Sequence, residues 1–280
     1  MEKTVSLPAD YHVHTAYCGH AHGKIVDYVE SAIRSGIREI CFADHLGRYY
    51  LRASQRRRHW DWGMDSRLLG RYFDEIDELR QAYCDKITIR VGLEIDYIAG
   101  AEDILKSVLA PYSFDFLLAS IHCVPSLGWK HLANYGRQDS WTVYQAYFDA
   151  AKAALRSGLF DSLAHLDFIW RYVKWPESHD DDVAAAIQST VATAHATNTA
   201  VEINANALLW SQVYTAGKYD PFSVFLDAVE KYGAAITVGS DAHKPEFVAK
   251  SFSQLAAILK KRSIGTYCTY RKRRRIPASL

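Results

Sequence analysis

Short apolar runs recur along the chain and are separated by longer segments with helical spacing. Each run is rich in Val, Ile, Leu or Phe and is short enough to be a buried strand. The pattern predicts seven strands, at Asp10–His14, Glu39–Ala43, Thr88–Glu94, Asp115–Ile121, Phe160–His165, Thr199–Asn204 and Ala234–Ser240.

The segments between the runs carry helix signals. Val26, Val29 and Ile33 give residues 24–35 one apolar face, and Gly36 follows as a stop. Ser140 and Asp180 are candidate caps for two later helices, and Pro221 stands at a first helical position after Asp220. The remaining predicted helices are Ser66–Tyr83, Trp141–Arg156, Asp180 to about Ala196, one starting at Asp220-Pro221, and about Glu246–Lys261.

Alternation of strands and helices predicts a parallel sheet. About seven units without a second domain predict a single α/β domain over residues 1–270, with a barrel-like sheet and outer helices. A doubly wound open sheet is the alternative. Segment Arg48–Met64 is long, basic and aromatic, which predicts a loop over the strand ends. The run that starts at Arg271 predicts a solvated basic tail over residues 271–280.

Metal-ligand residue types stand at or just after the end of nearly every predicted strand. The ends of barrel strands are where the active sites of α/β barrels lie. His12/His14 and Asp241/His243 have i, i+2 spacing, which puts both side chains of a pair on one face of a strand. Singly each signal is weak, but their recurrence predicts one shared site, formed by His12, His14, His45, Glu94, His122, His165, Asn204, Asn206, Asp241 and His243.

The residue types in this set indicate which metals would bind. Imidazole with carboxylate favours zinc, iron or manganese over calcium and magnesium. The histidines exceed the roughly four ligands of one zinc ion, so two or three divalent ions are expected. Their residual positive charge favours an anionic substrate such as a phosphate ester. Asp10, Asp44 and Asp167 lie beside predicted ligands and either orient imidazoles or form surface salt bridges.

Composition narrows the function further. The chain of 280 residues has a formal net charge of +1 and five scattered cysteines, which favours a reducing cytoplasm and makes nucleic acid an unlikely partner. There is no run of about 20 apolar residues for a membrane span and no signal-peptide core. Tyr49, Tyr50, Trp60 and Trp62 either shield a substrate or pack on the rim. Four histidines outside the site set are interpreted as structural: His59, His131, His179 and His195. His22 is a weaker candidate for a metal ligand.

Six motifs in order along the chain resemble the polymerase and histidinol phosphatase (PHP) superfamily. They are DYHVHTAYCGH at 10–20, ADH at 43–45, GLEIDY at 92–97, ASIH at 119–122, AHLD at 164–167 and GSDAH at 239–243. The similarity spans about residues 8–260. Within the superfamily, the first and third motifs look most like those of histidinol-phosphate phosphatases.

The resemblance implies a distorted (β/α)7 TIM-like barrel with three metals. His12, His14, Glu94 and Asp241 would hold the first, and Glu94 would bridge to a second at His122 and His165. His20, His45 and His243 would hold the third; His20 enters only through the resemblance. A metal-bridging hydroxide would attack phosphorus, with Asp241, His243 and Glu94 as catalytic residues.

For the substrate, the resemblance implies a small phosphate ester, histidinol phosphate first, held by arginine. Arg171 fits that role, with Arg48 and Asn204 as further candidates. Related phosphatases often have an arginine after the sixth strand, whereas residues 204–210 here contain none, and Arg52 or Arg56 could replace it. The alternatives are another small ester or nucleotide, a nuclease, an amidohydrolase, and a non-catalytic metal-binding domain. An amidohydrolase commonly bridges its metals with a carboxylated lysine, and no lysine stands at these strand ends.

Overall fold

Seven parallel strands form a near-closed barrel with helices outside it. The computed structural model describes residues 7–56, 63–128, 131–135, 140–210 and 219–280, without the side chains of residues 209–210. A further two-residue strand pairs with one of the seven. In chain order the parallel strands are β1 Ala9–Val13, β2 Glu39–Phe42, β3 His45–Leu46, β4 Thr88–Asp96, β5 Phe116–Ser120, β6 Ser162–Leu163, β7 Ala200–Asn204 and β8 Ile236–Gly239.

The neighbour order of the strands shows how the barrel closes. It runs β1-β2-β4-β5-β6-β7-β8, and the two-residue β3 pairs with β4 beyond the end of β2. The amide of His14 donates to the carbonyl of Ala242 at 2.9 Å, which joins the first strand to the residues after the last. The predicted barrel is confirmed, and the open sheet is excluded.

All seven predicted strands are present, and burial on both faces explains their apolar sequences. β1, β5, β7 and β8 are buried along their whole length. A polar residue within such a strand therefore faces the barrel interior or a partner that satisfies it. This property makes the few polar side chains on these strands informative.

The helices are largely where helical periodicity predicts them. In α1, Ile25–Arg34, the buried face includes Tyr28, Val29 and Ala32. The other helices are α2 Ala53–Arg56, α3 Leu69–Ala82, α4 Glu102–Leu109, α5 Ser140–Arg156, α6 Phe168–Tyr172, α7 Asp180–Ala196, α8 Ala207–Trp210, α9 Pro221–Tyr232 and α10 Phe252–Lys261. In the described helices, no segment is both long and apolar enough to cross a bilayer.

Some predicted helix starts are confirmed, and others differ from the structure. Asp220 caps α9 as expected, accepting from the amide of Phe222 at 3.0 Å. Ser140 and Asp180 are instead the first residues of their helices. The last helix begins at Phe252, later than predicted, because Pro245–Phe247 forms a separate 3-10 turn. α4 was not predicted; of its apolar residues only Leu105 is fully buried.

The expected basic tail is part of a hairpin. β9, Thr266–Arg271, pairs antiparallel with β10, Arg274–Ser279. Tyr270 exchanges hydrogen bonds with the hydroxyl of Tyr11 in β1. Asp115, just before β5, accepts from the amide of Lys272 at 3.0 Å. The hairpin therefore lies against the amino-terminal end of the barrel, opposite the predicted ligands, and its basic side chains remain mostly exposed.

The segment predicted as a loop over the strand ends contains the short α2. Tyr49 packs on the barrel rim, where its buried hydroxyl donates to the carbonyl of Asp96 at 2.8 Å. His59, Trp60 and Trp62 lie outside the described residues. All five cysteines are free thiols, as their spacing suggested.

Candidate metal centre

The barrel brings all nine predicted metal ligands to the carboxyl ends of its strands. Four of them belong to strands or follow one directly, and three more, His122, His165 and Asp241, stand two residues after a strand end. The parallel strands end at one rim, so these side chains meet there. Glu94 on β4 is the central member. The others surround it or one another: His12, His14, His20, His45, His122, His165, Asp241 and His243.

Glu94 is fully buried and lies among five imidazoles. Its Oε2 lies 2.7 Å from Nδ1 of His45, and its Oε1 lies 2.8 Å from Nε2 of His165. Nε2 atoms of three further rings lie 3.2–3.4 Å from its oxygens, on His12, His14 and His122. A carboxylate whose two oxygens face different histidines has the geometry needed to bridge two cations.

Asp241 approaches the same cluster from the end of β8. Its Oδ1 is 3.2 Å from Nε2 of His14 and 3.5 Å from Nδ1 of His243. The residue has φ of 54°, in the left-handed region that non-glycine residues rarely occupy. Such backbone strain is concentrated at functional positions. Here it turns the carboxylate toward the histidines.

The outer part of the cluster is more open to solvent. His20 is exposed, and its Nε2 lies 2.9 Å from Nε2 of His243. His45 and His243 are partly exposed. Ligand atoms of these three residues lie within 4.8 Å of one another, as do those of His12, His14 and Asp241 and those of His12, Glu94 and His165. The cluster thus offers several adjoining ligand groups, with solvent access at one side.

Two carboxylates that were not predicted orient imidazoles of the cluster. Glu202 on β7 accepts from Nδ1 of His12 at 2.6 Å, and Asp96 on β4 accepts from Nδ1 of His122 at 2.6 Å. Each bond leaves Nε2 of the ring directed at the cluster. Glu202 also accepts from the amide of His165 at 2.9 Å. Such outer hydrogen bonds fix the tautomer and direction of metal-ligating histidines.

Gly239 is required by the close packing of β1 against β8. A Cβ at this position would overlap the Cβ of His12 and Oε1 of Glu202. The motif that carries this glycine therefore serves two purposes. It brings Asp241 to the end of β8, and it leaves room for the His12–Glu202 pair beside the strand.

The aspartates predicted to orient imidazoles or form surface salt bridges do otherwise. Asp10 is buried and accepts from the amides of Ser240 at 2.9 Å and Ala249 at 3.1 Å. Asp44 is buried and accepts from the amide of Thr15 at 2.8 Å. Asp167 forms a buried ion pair with Arg171. Both interpretations were wrong for Asp10 and Asp44, which hold backbone around the site.

The electrostatics of the cluster favour cations. Burial raises the pKa of Glu94, but nearby His45, His12 and His122 outweigh it and hold the pKa well below its usual range. Burial lowers the pKa of His12, but Glu202, Glu94 and Asp241 raise it well above its usual value. The carboxylates therefore create a negative potential at His12, and this potential favours a cation beside its ring.

Several buried atoms in the cluster have no hydrogen-bond partner among the described residues. They are Nε2 of His12, both ring nitrogens of His14, Nδ1 of His165 and Oε2 of Glu94. Leaving such groups unsatisfied costs free energy, and divalent metal ions would satisfy them. Imidazole with carboxylate suits zinc, iron or manganese, so the donor set fits the expected ions. The Cys18 thiol lies within 4.8 Å of ligand atoms of His14 and His243, and burial raises its pKa to about 12.

The three predicted substrate-binding residues differ in their surroundings. Arg171 on α6 is nearly buried, with Nε bonded to Asp167 at 2.7 Å and Nη1 lying 3.7 Å from Oδ2 of Asp241. Arg48 lies 3.4 Å from Asp65. Asn204 is buried, where it donates to Glu202 at 3.3 Å and accepts from the amide of Asn206 at 2.9 Å. The contact of Arg171 with Asp241 reaches a predicted metal ligand.

The arginines considered as replacements lie in and before α2. Arg56 donates through Nε to the carbonyl of Leu51 at 2.8 Å, and Arg52 is exposed. The side chains of His22 and His195 are exposed, and His179 pairs with Asp182 at 2.8 Å. His131, interpreted as structural, lies beside the cluster, with its ring centroid 6.2 Å from that of His122.

Comparison with known proteins gives consistent matches. The PHP domain family model matches residues 10–206. A probable histidinol-phosphatase of Deinococcus radiodurans is 29% identical over 275 residues, covering 96% of this chain and 98% of that protein. The histidinol-phosphatase of Bacillus subtilis is 24% identical over 84% of this chain and 93% of its own.

A solved structure has the same fold. It is histidinol phosphate phosphatase from Lactococcus lactis complexed with zinc, L-histidinol and phosphate. Its TM-score with this chain is 0.79 at 21% identity, covering 96% of this chain and 98% of that one. A histidinol phosphatase structure from Listeria monocytogenes gives a TM-score of 0.73 at 19% identity, covering 88% and 99%.

Proposed function

The chain belongs to the PHP domain family, and from that membership we propose that it is a metal-dependent phosphatase acting on L-histidinol phosphate. The observation that carries the proposal is Glu94, a buried carboxylate facing five histidines at the carboxyl rim of the barrel. In a purely structural metal site, protein ligands fill every coordination position of the ion. Here the ligand groups lie at the carboxyl rim of a barrel with solvent access at one side, which supports a hydrolytic site instead.

We assign the predicted ligands to three ions. His12, His14, Glu94 and Asp241 would hold one ion, Glu94 with His122 and His165 a second, and His20, His45 and His243 a third. Nε2 atoms of His122 and His165 lie 3.4 Å and 2.8 Å from Oε1 of Glu94, and the ligand atoms of His20, His45 and His243 lie within 4.8 Å of one another. Bound divalent ions would supply a nucleophilic water at neutral pH and neutralise phosphoryl oxygens. The protein contributes the negative charge of Glu94 and Asp241, which we propose as catalytic residues together with His243.

Arg171 is the residue we propose for binding the phosphate. Burial alone would lower its pKa, but Asp167 and Asp241 raise it above the usual value, so the guanidinium is a fixed cation. Asp167 engages Nε and Nη2, and this directs Nη1 toward the cluster. Arg48 and Asn204 are weaker candidates, because to bind substrate they would have to give up contacts to Asp65 and to Glu202.

The choice of ester rests on the relatives. The Deinococcus protein is named a probable histidinol-phosphatase and the Bacillus protein a histidinol-phosphatase, and each match spans most of both chains. The Lactococcus structure, which has the same fold, contains zinc, L-histidinol and phosphate together. The missing arginine after β7 does not remove the phosphate-binding cation, since Arg171 supplies one from α6.

The test is elemental analysis of the purified protein followed by steady-state assays on a panel of phosphate esters. We expect two or three equivalents of zinc, iron or manganese and a clear kcat/KM advantage for L-histidinol phosphate over glycerol phosphate and nucleotides. Equal activity on all esters would refute the substrate assignment but not the phosphatase. A protein that binds no metal would refute the whole proposal.

Substitution of Arg171 by Lys should separate phosphate binding from metal binding. The amine keeps the charge but loses the planar fork, so we expect kcat/KM to fall roughly a hundredfold while metal content stays unchanged. Arg67→Lys is the matched control. Arg67 also donates two hydrogen bonds to an aspartate, Asp65, but its side chain is exposed. Loss of metal in parallel with activity would show that Arg171 acts on the ligands instead.

A further inference from the structure

Three aromatic rings form a wall that leads from the metal ligands to solvent. We define the aromatic wall as His131, Phe168 and Tyr172. The ring of Phe168 lies 4.6 Å from that of His122 and 5.0 Å from that of His165. Tyr172 lies 4.9 Å from Phe168 and 5.6 Å from His131. The wall therefore starts at the cluster and ends at an exposed ring.

Tyr172 is unusual because it is large, aromatic and 48% exposed. A tyrosine that only filled space beside Phe168 would be more buried. Its neighbours in the wall are held firmly: Phe168 is buried, and Nδ1 of His131 accepts from the amide of Ala133 at 3.1 Å. The exposed ring is thus presented on a fixed support, as expected of a binding surface rather than a mobile side chain.

The short helix α6 combines the wall with the phosphate-binding candidate. Arg171 stands between Phe168 and Tyr172 in sequence, and its guanidinium carbon lies 5.9 Å from the centroid of the Phe168 ring. A ligand whose phosphate lies near Arg171 and Asp241 would therefore extend its other end along these rings. Aromatic faces attract flat rings by stacking and cationic rings by the cation–π interaction.

We propose that the aromatic wall, with Tyr172 at its outer end, binds the planar ring of the ester's leaving group and sets the preference for an imidazole-bearing phosphate. The inference rests on the proposed function. In histidinol phosphate a short carbon chain joins the phosphate to the imidazole, so one molecule can reach both parts of α6. A phosphate ester without a ring gains nothing from the wall.

The test compares Tyr172→Ala with the unchanged protein on L-histidinol phosphate and on glycerol phosphate, which has no ring. We expect kcat/KM for histidinol phosphate to fall about tenfold, mainly through KM, and kcat/KM for glycerol phosphate to change less than about twofold. Tyr172→Phe should retain the activity, because the ring is kept. Tyr83→Ala is the control, because Tyr83 is a partly exposed tyrosine on the outer surface, bonded to Glu30.

The outcomes distinguish the two proposals. An equal loss on both esters, or no loss on either, would overturn the role of the aromatic wall while leaving the phosphatase in place. If the unchanged protein hydrolyses glycerol phosphate but ignores histidinol phosphate, the substrate assignment fails and the wall's preference fails with it. Inhibition by the product L-histidinol gives a second readout, which Tyr172→Ala should weaken by the same factor.

Discussion

Glu94→Gln is expected to remove most of the bound metal and to lower kcat/KM on the order of a thousandfold or more. The substitution preserves shape but removes the negative charge and turns one acceptor oxygen into a donor amide. Glu94 is buried, and both of its oxygens face imidazole nitrogens at 2.7–3.4 Å. No solvent can replace the lost charge, so the ions that it would bridge lose their shared ligand.

The measurement pairs metal content by elemental analysis with activity on the preferred ester. Glu102→Gln is the matched control, since Glu102 lies shortly after the same strand and bonds to the Tyr97 hydroxyl at 2.7 Å outside the cluster. Circular dichroism should show that both variants keep the barrel. A Glu94→Gln protein that retained full metal and full activity would refute the bridging role and the site built around it.

The fold was predictable because parallel strands that are buried on both faces have short, almost continuous apolar sequences. All seven runs became barrel strands, with ends shifted by a few residues. The hairpin at the end of the chain was not predictable in the same way. Its turn residues, Lys272 and Arg273, have φ of 50° and 64°, where glycine or asparagine would be the usual signal. Hydrogen bonds to Asp115 and an ion pair of Arg273 with Asp161 hold this turn instead.

The cluster of candidate ligands was predictable from the ends of the predicted strands, whereas Asp96 and Glu202, which orient two of its imidazoles, were not predicted. Asp96 stands two residues after Glu94, and Glu202 two before Asn204, so the i, i+2 spacing that marked His12 and His14 also marked these carboxylates. A charged residue inside an apolar strand is a second signal, because burial requires a partner for it. The partners of Asp10 could not be predicted, since its amide donors Ser240 and Ala249 come from the far end of the chain.

The second large expected effect is that of substituting Glu202. The substitution should lower metal affinity, because Glu202 contacts a metal ligand rather than the reacting atoms. Its Oε1 accepts from Nδ1 of His12, and its Oε2 accepts from the amide of His165 and from Asn204. This fixed carboxylate selects the His12 tautomer with Nε2 available as a ligand. In Glu202→Gln, one amide nitrogen must face a donor, either the His12 ring or the His165 amide. We expect metal affinity to fall about 10- to 100-fold.

Chelator competition measures the affinity, and activity at excess metal separates the two possible causes of any loss. A positioning role predicts that added zinc or manganese restores most of the kcat of Glu202→Gln, whereas a catalytic role predicts a loss that metal does not repair. Glu177→Gln is the control, because Glu177 forms an exposed ion pair with Lys174. Unchanged affinity in the Glu202 variant would show that the His12 hydrogen bond does not support the metal site.

A backbone substitution tests the same pair without altering its charges. In Gly239→Ala the added Cβ would meet His12 and Glu202, so the two side chains must separate or β8 must shift. Metal affinity should therefore fall by about the same factor as in Glu202→Gln. Overpacking should also lower the free energy of unfolding by about 1–3 kcal/mol. Gly265→Ala, where the added Cβ meets nothing within 4 Å, should change neither quantity. If Gly239→Ala lowered stability but left metal affinity intact, the His12–Glu202 contact would matter for packing alone.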